Sequence, residues 1–358
     1  LRLQNAADEG SRKADGTIYP AIGMIQTANS VLEHQHYSEP LPKPSSKSFK
    51  VGRGIAFGYS GNINGAATVI ANGVQDGRIT LIIGAVDIGG TRISIAQQFA
   101  EVLGIDPTVI NLTIADTDSI GYTSASVGSS ASHKNGWAAY QCALDVKDQL
   151  EERVSKIWDV PNNTVVFENG HALSKTNSKL VMSFKELASL LNDTGGPITG
   201  RGNVDARGCA GSFSANIVDL EIDIETGKVN ILKYTAFQDA GKAIHPSYVE
   251  GQIQGGTVQG IGWALYEEYV FDKKGKMTNP SLLDYRMPTS WDVPMIDAQI
   301  IENYNPGHPY GARGVGESSI VPPLPAISNA INDATGYRIP QLPMSPTNIY
   351  KFIANHNH

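Results

Sequence analysis

The apolar positions of this chain alternate with polar ones in some stretches and recur at a helical period in others, and the changes of period mark out its elements. Residues 54–59 (GIAFGY) read as a strand, and ATVIAN and RITLIIG, joined by the turn residues GVQDG, read as a hairpin. In TRISIAQQFAEVLG the apolar residues Ile93, Ile95, Ala96, Phe99, Val102 and Leu103 fall at helical spacing, and Gly104 supplies the stop. VINLTIA then returns as a strand. A second helix is predicted over about 132–158, after a hydroxyl-rich loop and closed by Pro161; short strands and a helix FKELASLL follow. The Gly-rich GGPITGRG at 195–202 predicts a boundary. Beyond it, residues 215–241 alternate apolar and polar about the turn Thr226-Gly227, which predicts a long hairpin. A glycine-studded helix over 246–266, a helix ending at Gly336, and a last helix capped by Ser345 with Pro346 in its first turn complete the pattern.

Strand groups alternating with helices in each half predict an α+β fold of two mixed α/β subdomains. The expected divisions are an N-terminal extension and linker over 1–50, a first subdomain over 51–200, and a second over 201–358 that carries Glu317. Pro40, Pro42 and Pro44 are the reason for the linker reading, since each fixes an extended backbone. With 358 residues, 41% of them hydrophobic and 18% charged, the chain can bury sizeable cores. A net charge of -7 and no run of Lys or Arg exclude an electrostatic nucleic-acid binder and favour small-molecule chemistry. Two cysteines cannot make a disulfide framework. They also fall short of the thiolates a [2Fe-2S] cluster requires, so such a cluster belongs on another chain. The N-terminal stretch is charged, and nowhere do apolar residues run long enough to span a bilayer. The expectation is a cytoplasmic protein with no membrane partner.

Four stretches could carry chemistry. In residues 307–323, GHPYGARGVGESSIVPP, Glu317 is the lone acid, set among glycines and small residues that leave room for something large. A carboxylate in a dry spot of that kind can serve as general base; a solvated surface turn is the plain alternative. The loop TSASVGSSAS (123–132) holds six hydroxyls and no charge and runs into a helix start, where backbone amides attract phosphate; the alternative is a Ser-rich N-cap loop. The turn DIGGT (87–91) lies between a strand and a helix as phosphate-cradling loops do, but has neither nucleotide motif. In EGQIQGGTVQGIGWAL, Gln252 and Gln259 lie two turns apart on one helical face, among five glycines that each cost about 0.5 to 1 kcal/mol in a helix. Either close packing against another helix or amide bonding to a heterocycle would offset that cost. The eight histidines show no metal-motif spacing.

Five ordered blocks, VDIGGTRISIAQQFAEVLGI, ADTDSIGYTSASVGSSAS, EIDIETGKV, GQIQGGTVQGIGWALYEE and GARGVGESSIVPPLPAISNAINDA, resemble the molybdenum hydroxylases of the xanthine oxidase and aldehyde oxidoreductase family. The resemblance covers nearly the whole chain and falls on the C-terminal half of the family's molybdopterin-binding subunit. The chain therefore looks like the second half of a split subunit, arranged as in nicotinate dehydrogenase, or a fragment. The resemblance implies a molybdenum-pterin cofactor, expected as the cytosine dinucleotide, held through its organic scaffold with no protein ligand to the metal. It implies that Gly89, Gly90, Gly128, Ser129, Ser130 and Ser132 hold pterin and phosphate groups, that Gln259 bonds the pterin with Gln252 nearby, and that Glu317 is the catalytic base. It implies hydroxylation of an electron-poor carbon in an N-heterocycle or aldehyde. Electrons would leave through 2Fe-2S and FAD partner subunits, beside a chain bearing the first half of the subunit. Two departures stand out: many members have Gln where this chain has Gly90, and the substrate-gripping residues of the first half lie outside this sequence. Phe57 and Tyr59 are candidates for an aromatic pocket wall, or for core positions. Rival readings are a non-catalytic cofactor-holding or assembly subunit and a simple phosphate- or nucleotide-binding protein.

Overall fold

The computed structural model describes residues 1–114, 116 and 118–356, so the last position of the VINLTIA strand, Ala115, and Thr117 of the following block lie outside the described residues. In chain order the elements are α1 (Met24–Glu33), α2 (Gln35–Ser38), β1 (Phe49–Ser60), β2 (Gly65–Gly73), β3 (Ile79–Ile83), α3 (Thr91–Leu103), β4 (Ile110–Ile114) and α4 (Ala131–Trp158). They continue with β5 (Val165–Glu168), β6 (His171–Ser174), β7 (Val181–Ser183), α5 (Phe184–Ser189), β8 (Ile198–Ala206), β9 (Ser212–Asp223), β10 (Val229–Asp239), α6 (Pro246–Leu265), β11 (Ile296–Ile301), α7 (Pro323–Thr335) and α8 (Pro346–His356). The mixture of helices and sheets is the α+β class that the pattern predicts. The chain divides into two compact units that are discontinuous in sequence: Leu1–Gly61, Ala210–Tyr304 and Val315–His358 form the first, and Asn62–Cys209 with Asn305–Gly314 the second. These boundaries differ from the expected ones, because both edges of the second unit return to the first.

In the first unit the sheet order is β1-β9-β10-β11, antiparallel except for the β10/β11 pair. The hairpin strands predicted as alternating are in fact covered on both faces. Val218, Leu220 and Ile222 of β9 join the core formed with α6, α7 and α8, while Ala215 and Ile217 pack with Val31 of α1 and Phe237. The polar residues between them are consequently buried and hydrogen-bonded. Asp219 takes a two-pronged bond from Arg53 at 2.6 and 2.7 Å and lies 3.3 Å from the His36 ring. Residues 1–50 are thus no simple linker: Ala28 and Val31 of α1 are buried, Gly23 donates its amide to Asp239, and His36 bonds Thr235. Apolar residues too few to show a period in the sequence are enough to seat a short helix on a sheet.

In the second unit the sheet order is β4-β3-β2-β8, with a small β5-β6-β7 sheet beside it. β2 and β3 form the predicted hairpin, and α3 crosses over between the parallel pair β3 and β4. Ile95, Phe99 and Leu103 of α3 are fully buried in the core with Leu81, Ile83, Ala138 and Cys142. Each such large side chain contributes roughly 1.5–3 kcal/mol. GGPITGRG is not a boundary: its second half is the edge strand β8, paired with β2. Its glycines suggested a loop but serve a different purpose. A Cβ on Gly202 would come within 2.0 Å of the Ala138 carbonyl oxygen, and one on Gly200 within 2.3 Å of Val146, so α4 rests directly on strand backbone. The first unit repeats the device, since a Cβ on Gly54 would sit 1.9 Å from the Ala326 carbonyl and one on Gly52 2.3 Å from that of Ala330. Two Gly-Arg-Gly strands each hold one helix, and the loop that enters each helix is a predicted functional stretch.

Candidate functional site

In the second unit the hydroxyl loop delivers the chain into α4 through two consecutive left-handed residues, Gly128 at φ 60° and Ser129 at φ 55°. A left-handed serine is strained and holds only where its surroundings fix it. A Cβ on Gly128 would overlap Ile63, and one on Gly314 would meet the Ser129 carbonyl at 2.4 Å, so the loop is clamped from both sides. Ser130 is buried and donates its hydroxyl to the Val127 carbonyl, whereas the Ser132 hydroxyl has no partner among the described residues. No side chain caps α4. The amides of its first turn therefore have no side-chain acceptor, and the helix dipole leaves that end positive.

Lys134, one turn in, is fully buried and donates to the Ser124 carbonyl at 2.7 Å, the Ser124 hydroxyl at 2.8 Å and the Ala125 carbonyl at 2.7 Å. Among the described residues no carboxylate lies within ion-pair distance of it. Burial pushes its pKa below the usual lysine range. An ammonium under the loop and an uncapped helix start above it together favour an anion. The sequence reading missed Lys134; a lysine one turn into a helix that follows a hydroxyl-rich loop was the available signal.

The glycine turn is arranged differently. Gly89 and Gly90 have φ of 111° and 85°, but the Asp87 carboxylate accepts from the amides of Gly89 at 3.0 Å and Thr91 at 3.1 Å. The same carboxylate lies 3.7 Å from the Arg92 guanidinium, and it already occupies the amides that a phosphate at this turn would use. On α4, His133 is also buried, and the buried His308 ring packs against it with centroids 4.8 Å apart. Burial lowers the His133 pKa to about 4. Burial, and then the charge of His133, lower that of His308 to about 3. His308 accepts the Tyr310 amide on Nδ1, which leaves its proton on Nε2.

In the first unit the glycines of α6 separate into two kinds. A Cβ on Gly256 would lie 1.9 Å from the Ser319 hydroxyl, one on Gly260 2.6 Å from Pro323, and one on Gly262 2.1 Å from Glu267, so these three allow close packing. A Cβ on Gly251 or Gly255 would meet nothing within 4 Å. At about 100° per residue, Tyr248, Gly251, Gln252, Gly255, Gln259 and Trp263 fall within roughly 120° of one another. Gln259 and both open glycines are exposed, and Gln252 is half-buried. The two alternatives for this helix are thus realised on adjoining faces, one packed and one bare.

Glu317 stands beside the bare face. Its turn is fixed from below: Ser318 accepts at its carbonyl from Ser214 at 2.8 Å, Val315 accepts from Gln238 at 2.6 Å, and the Ser319 hydroxyl reaches the carbonyls of Gly316 and Gln252. The Glu317 side chain itself is exposed in this chain. That corrects the expectation of a dry spot: the glycines around it keep the backbone bare but do not enclose the carboxylate. Phe57 packs with Val31, Ala215, Ile217 and Phe237, and Tyr59 with Phe213 and Tyr19 at 4.7 and 5.8 Å. Packing accounts for both aromatics without a pocket. Among the described residues no group of three or more His, Cys, Asp or Glu side chains could hold a metal ion, and no helix is long and apolar enough to cross a membrane.

Residues 30–294 match the family model described as molybdopterin cofactor-binding domain. The chain belongs to that family. It is 30% identical over 382 residues to the putative xanthine dehydrogenase molybdenum-binding subunit XdhA of Escherichia coli K12, covering 98% of this chain and 49% of that protein. It is also 30% identical over 348 residues to the 6-hydroxypseudooxynicotine dehydrogenase complex subunit gamma of Paenarthrobacter nicotinovorans, covering 91% and 43%. Among solved structures, quinoline 2-oxidoreductase from Pseudomonas putida 86 superposes with a TM-score of 0.84 at 22% identity, covering 96% of this chain and 47% of that one. The chain spans about half the length of the curated relatives it matches.

The residues present suit such a cofactor in two of the three expected places. The bare α6 face, with the Gln259 amide and two glycines that a Cβ would not crowd, offers a flat neutral surface to a heterocycle. The uncapped start of α4 with Lys134 beneath it suits a phosphate. At the Gly89/Gly90 turn the amides of Gly89 and Thr91 are already bonded to Asp87.

Proposed function

We propose that this chain is the half of a molybdenum hydroxylase that carries the general base, acting on an electron-poor carbon of an N-heterocycle or aldehyde. The observation that carries the reading is the turn bearing Glu317, seated on α6 at Gly256 and Gln252 beside a helix face that glycines leave open. Gln259 and Gln252 would hold the pterin by their amides, and Ser129, Ser130, Ser132 and the first-turn amides of α4 would hold its phosphates, with Lys134 as the buried counter-charge. A dinucleotide form of the cofactor, the cytosine one by family resemblance, would bring a second phosphate for that loop. The molybdenum-pterin group, when bound, supplies the oxidising centre that accepts two electrons from the substrate carbon.

The Glu317 carboxylate would take the proton released as water-derived oxygen becomes bonded to that carbon, and would hand it on to solvent. Its rigid turn keeps the carboxylate in place without the cost of ordering a loop. In the balance R–H + H2O → R–OH + 2 H⁺ + 2 e⁻, the carbon's C–H bond breaks as its C–O bond forms, the second proton passes to solvent, and the two electrons would leave through 2Fe-2S and FAD partner subunits. Relatives described as subunits of complexes support a hetero-oligomer, with a further chain that supplies the other half of the pocket and the dryness Glu317 lacks here. A cytoplasmic location is part of the same proposal.

Replacing Glu317 with Gln in the assembled enzyme should leave molybdenum and pterin content unchanged. Turnover should fall by about 10²- to 10⁴-fold, the range for removal of a general base. The exposure of Glu317 favours one second reading, a non-catalytic cofactor-holding subunit. Full turnover by Glu317→Gln with normal cofactor content would establish that reading instead.

A further inference from the structure

Between α6 and β11 the first unit runs for some thirty residues with no helix or ladder strand, and this stretch holds the most exposed apolar side chains of the described chain apart from its first residue. Trp291 is 96% exposed, Met295 88%, Leu283 85% and Leu282 78%. Tyr269, Phe271 and Met287 are exposed as well. Scattered apolar residues on a surface are ordinary, but a run of this size marks an interaction site.

The segment is not a floppy loop. Tyr285 donates to Glu267 at 2.6 Å, Asn279 to the Glu268 carbonyl at 2.7 Å, and Phe271 bridges Met277. Ser281 bonds Asp284, and Thr289 bonds Asp292 through both its amide and its hydroxyl. Its polar groups are spent on local turns, Tyr269 stacks on Tyr285 and Val293 packs inward, while Leu282, Leu283, Trp291 and Met295 stand almost wholly exposed, the arrangement of a preformed surface waiting for a partner. Preorganisation of this kind lowers the ordering cost of association.

We infer that residues 267–295 are the docking surface for a polypeptide similar to the half of the curated relatives that this chain does not cover, whether that polypeptide is a separate chain or continuous with this one. The relatives accommodate nearly this entire chain in about half their length, and the solved homologue of matching fold likewise has as much polypeptide again. A surface of several large apolar side chains fits a partner of that size better than a small ligand. The inference rests on the partner reading above and deepens it by naming the surface.

The test compares the 358-residue chain alone with the protein isolated from its source cells. Hydrogen peroxide and hydroxyl-radical labelling should modify Met295, Met287 and Trp291 rapidly in the chain alone and on the order of tenfold more slowly in the native protein, as for residues at the centre of an interface. Cross-links from Lys273, Lys274 and Lys276 should reach peptides that match the uncovered half of the relatives. Trp291→Asp, at a position too exposed to affect the fold, should weaken that association by about 30-fold, the factor for a hot-spot residue. Equal labelling in both samples, cross-links to a second copy of this chain, or unchanged association of Trp291→Asp would each overturn the inference. Molybdenum and pterin are measured in the same native sample, so loss of the cofactor reading is seen separately from loss of this one.

Discussion

Neighbouring glycines of α6 should respond to alanine with opposite signs. A Cβ on Gly255 enters open space, so Gly255→Ala gains the helix propensity difference of about 0.5–1 kcal/mol without a clash. For a unit of this size that corresponds to a rise in Tm of about 1–4 °C. A Cβ on Gly256 lies 1.9 Å from the Ser319 hydroxyl, which must rotate away and lose its bonds to the carbonyls of Gly316 and Gln252. The one hydroxyl proton is shared between the two carbonyls, and losing it at a buried site costs about 1–3 kcal/mol, more than the propensity gain, so a net loss of about 1–2 kcal/mol is expected. Differential scanning calorimetry of the cofactor-free protein measures both. The cofactor-loaded protein adds a second readout: Gly255→Leu should retain less molybdenum and pterin because its side chain covers the face the pterin needs. If both alanine variants shift Tm in the same direction, the division of α6 into a packed and a bare face is wrong. If Gly255→Leu keeps its full cofactor content, that face is not where the pterin lies.

Acid should destabilise the second unit through His133 and His308. Their folded pKa values of about 4 and about 3 lie below the ordinary 6.5, so the unfolded chain binds protons first; stability is full above pH 6.5 and is lost as pH falls toward 4. At pH 5 each histidine accounts for about 2 kcal/mol, and thermal melts of His308→Phe should show a flatter dependence between pH 7 and 5 than the parent. Asp219→Asn removes the charge partner of the half-buried Arg53 guanidinium, which keeps its bonds to the carbonyls of Tyr37 and Glu39, and should cost about 1.5–3 kcal/mol, visible as a lowered urea midpoint; a change under 1 kcal/mol would show that the pair contributes little. In Glu317→Gln, unchanged Tm alongside lost turnover is expected, since the side chain is exposed and its turn is held by other residues.

Much of this protein is local, and what is local is legible in one dimension. The helical periods of α3 and α4, the hairpins β2/β3 and β9/β10, the stop at Gly104 and the left-handed end at Gly336 all depend on residues within a few positions of one another. The five ordered blocks identified the family because backbone turns and bare faces constrain residue type directly. Four features needed the tertiary structure. Gly200 and Gly202 look like a boundary until α4 is laid upon them, and the first fifty residues look like a linker until α1 meets β9. The glycines of α6 are alike in sequence, yet Gly256 is crowded by Ser319 and Gly255 is open, a difference made by a turn some sixty residues away. Lys134 and the histidine pair acquired their meaning from burial, which no spacing reports. The sequence by itself determined which residues are able to bend, hydrogen-bond or take a proton. Only the fold decided which of them are enclosed and which face outward, because enclosure is set by atoms far away along the chain, and it left Glu317 on a firm turn in the open.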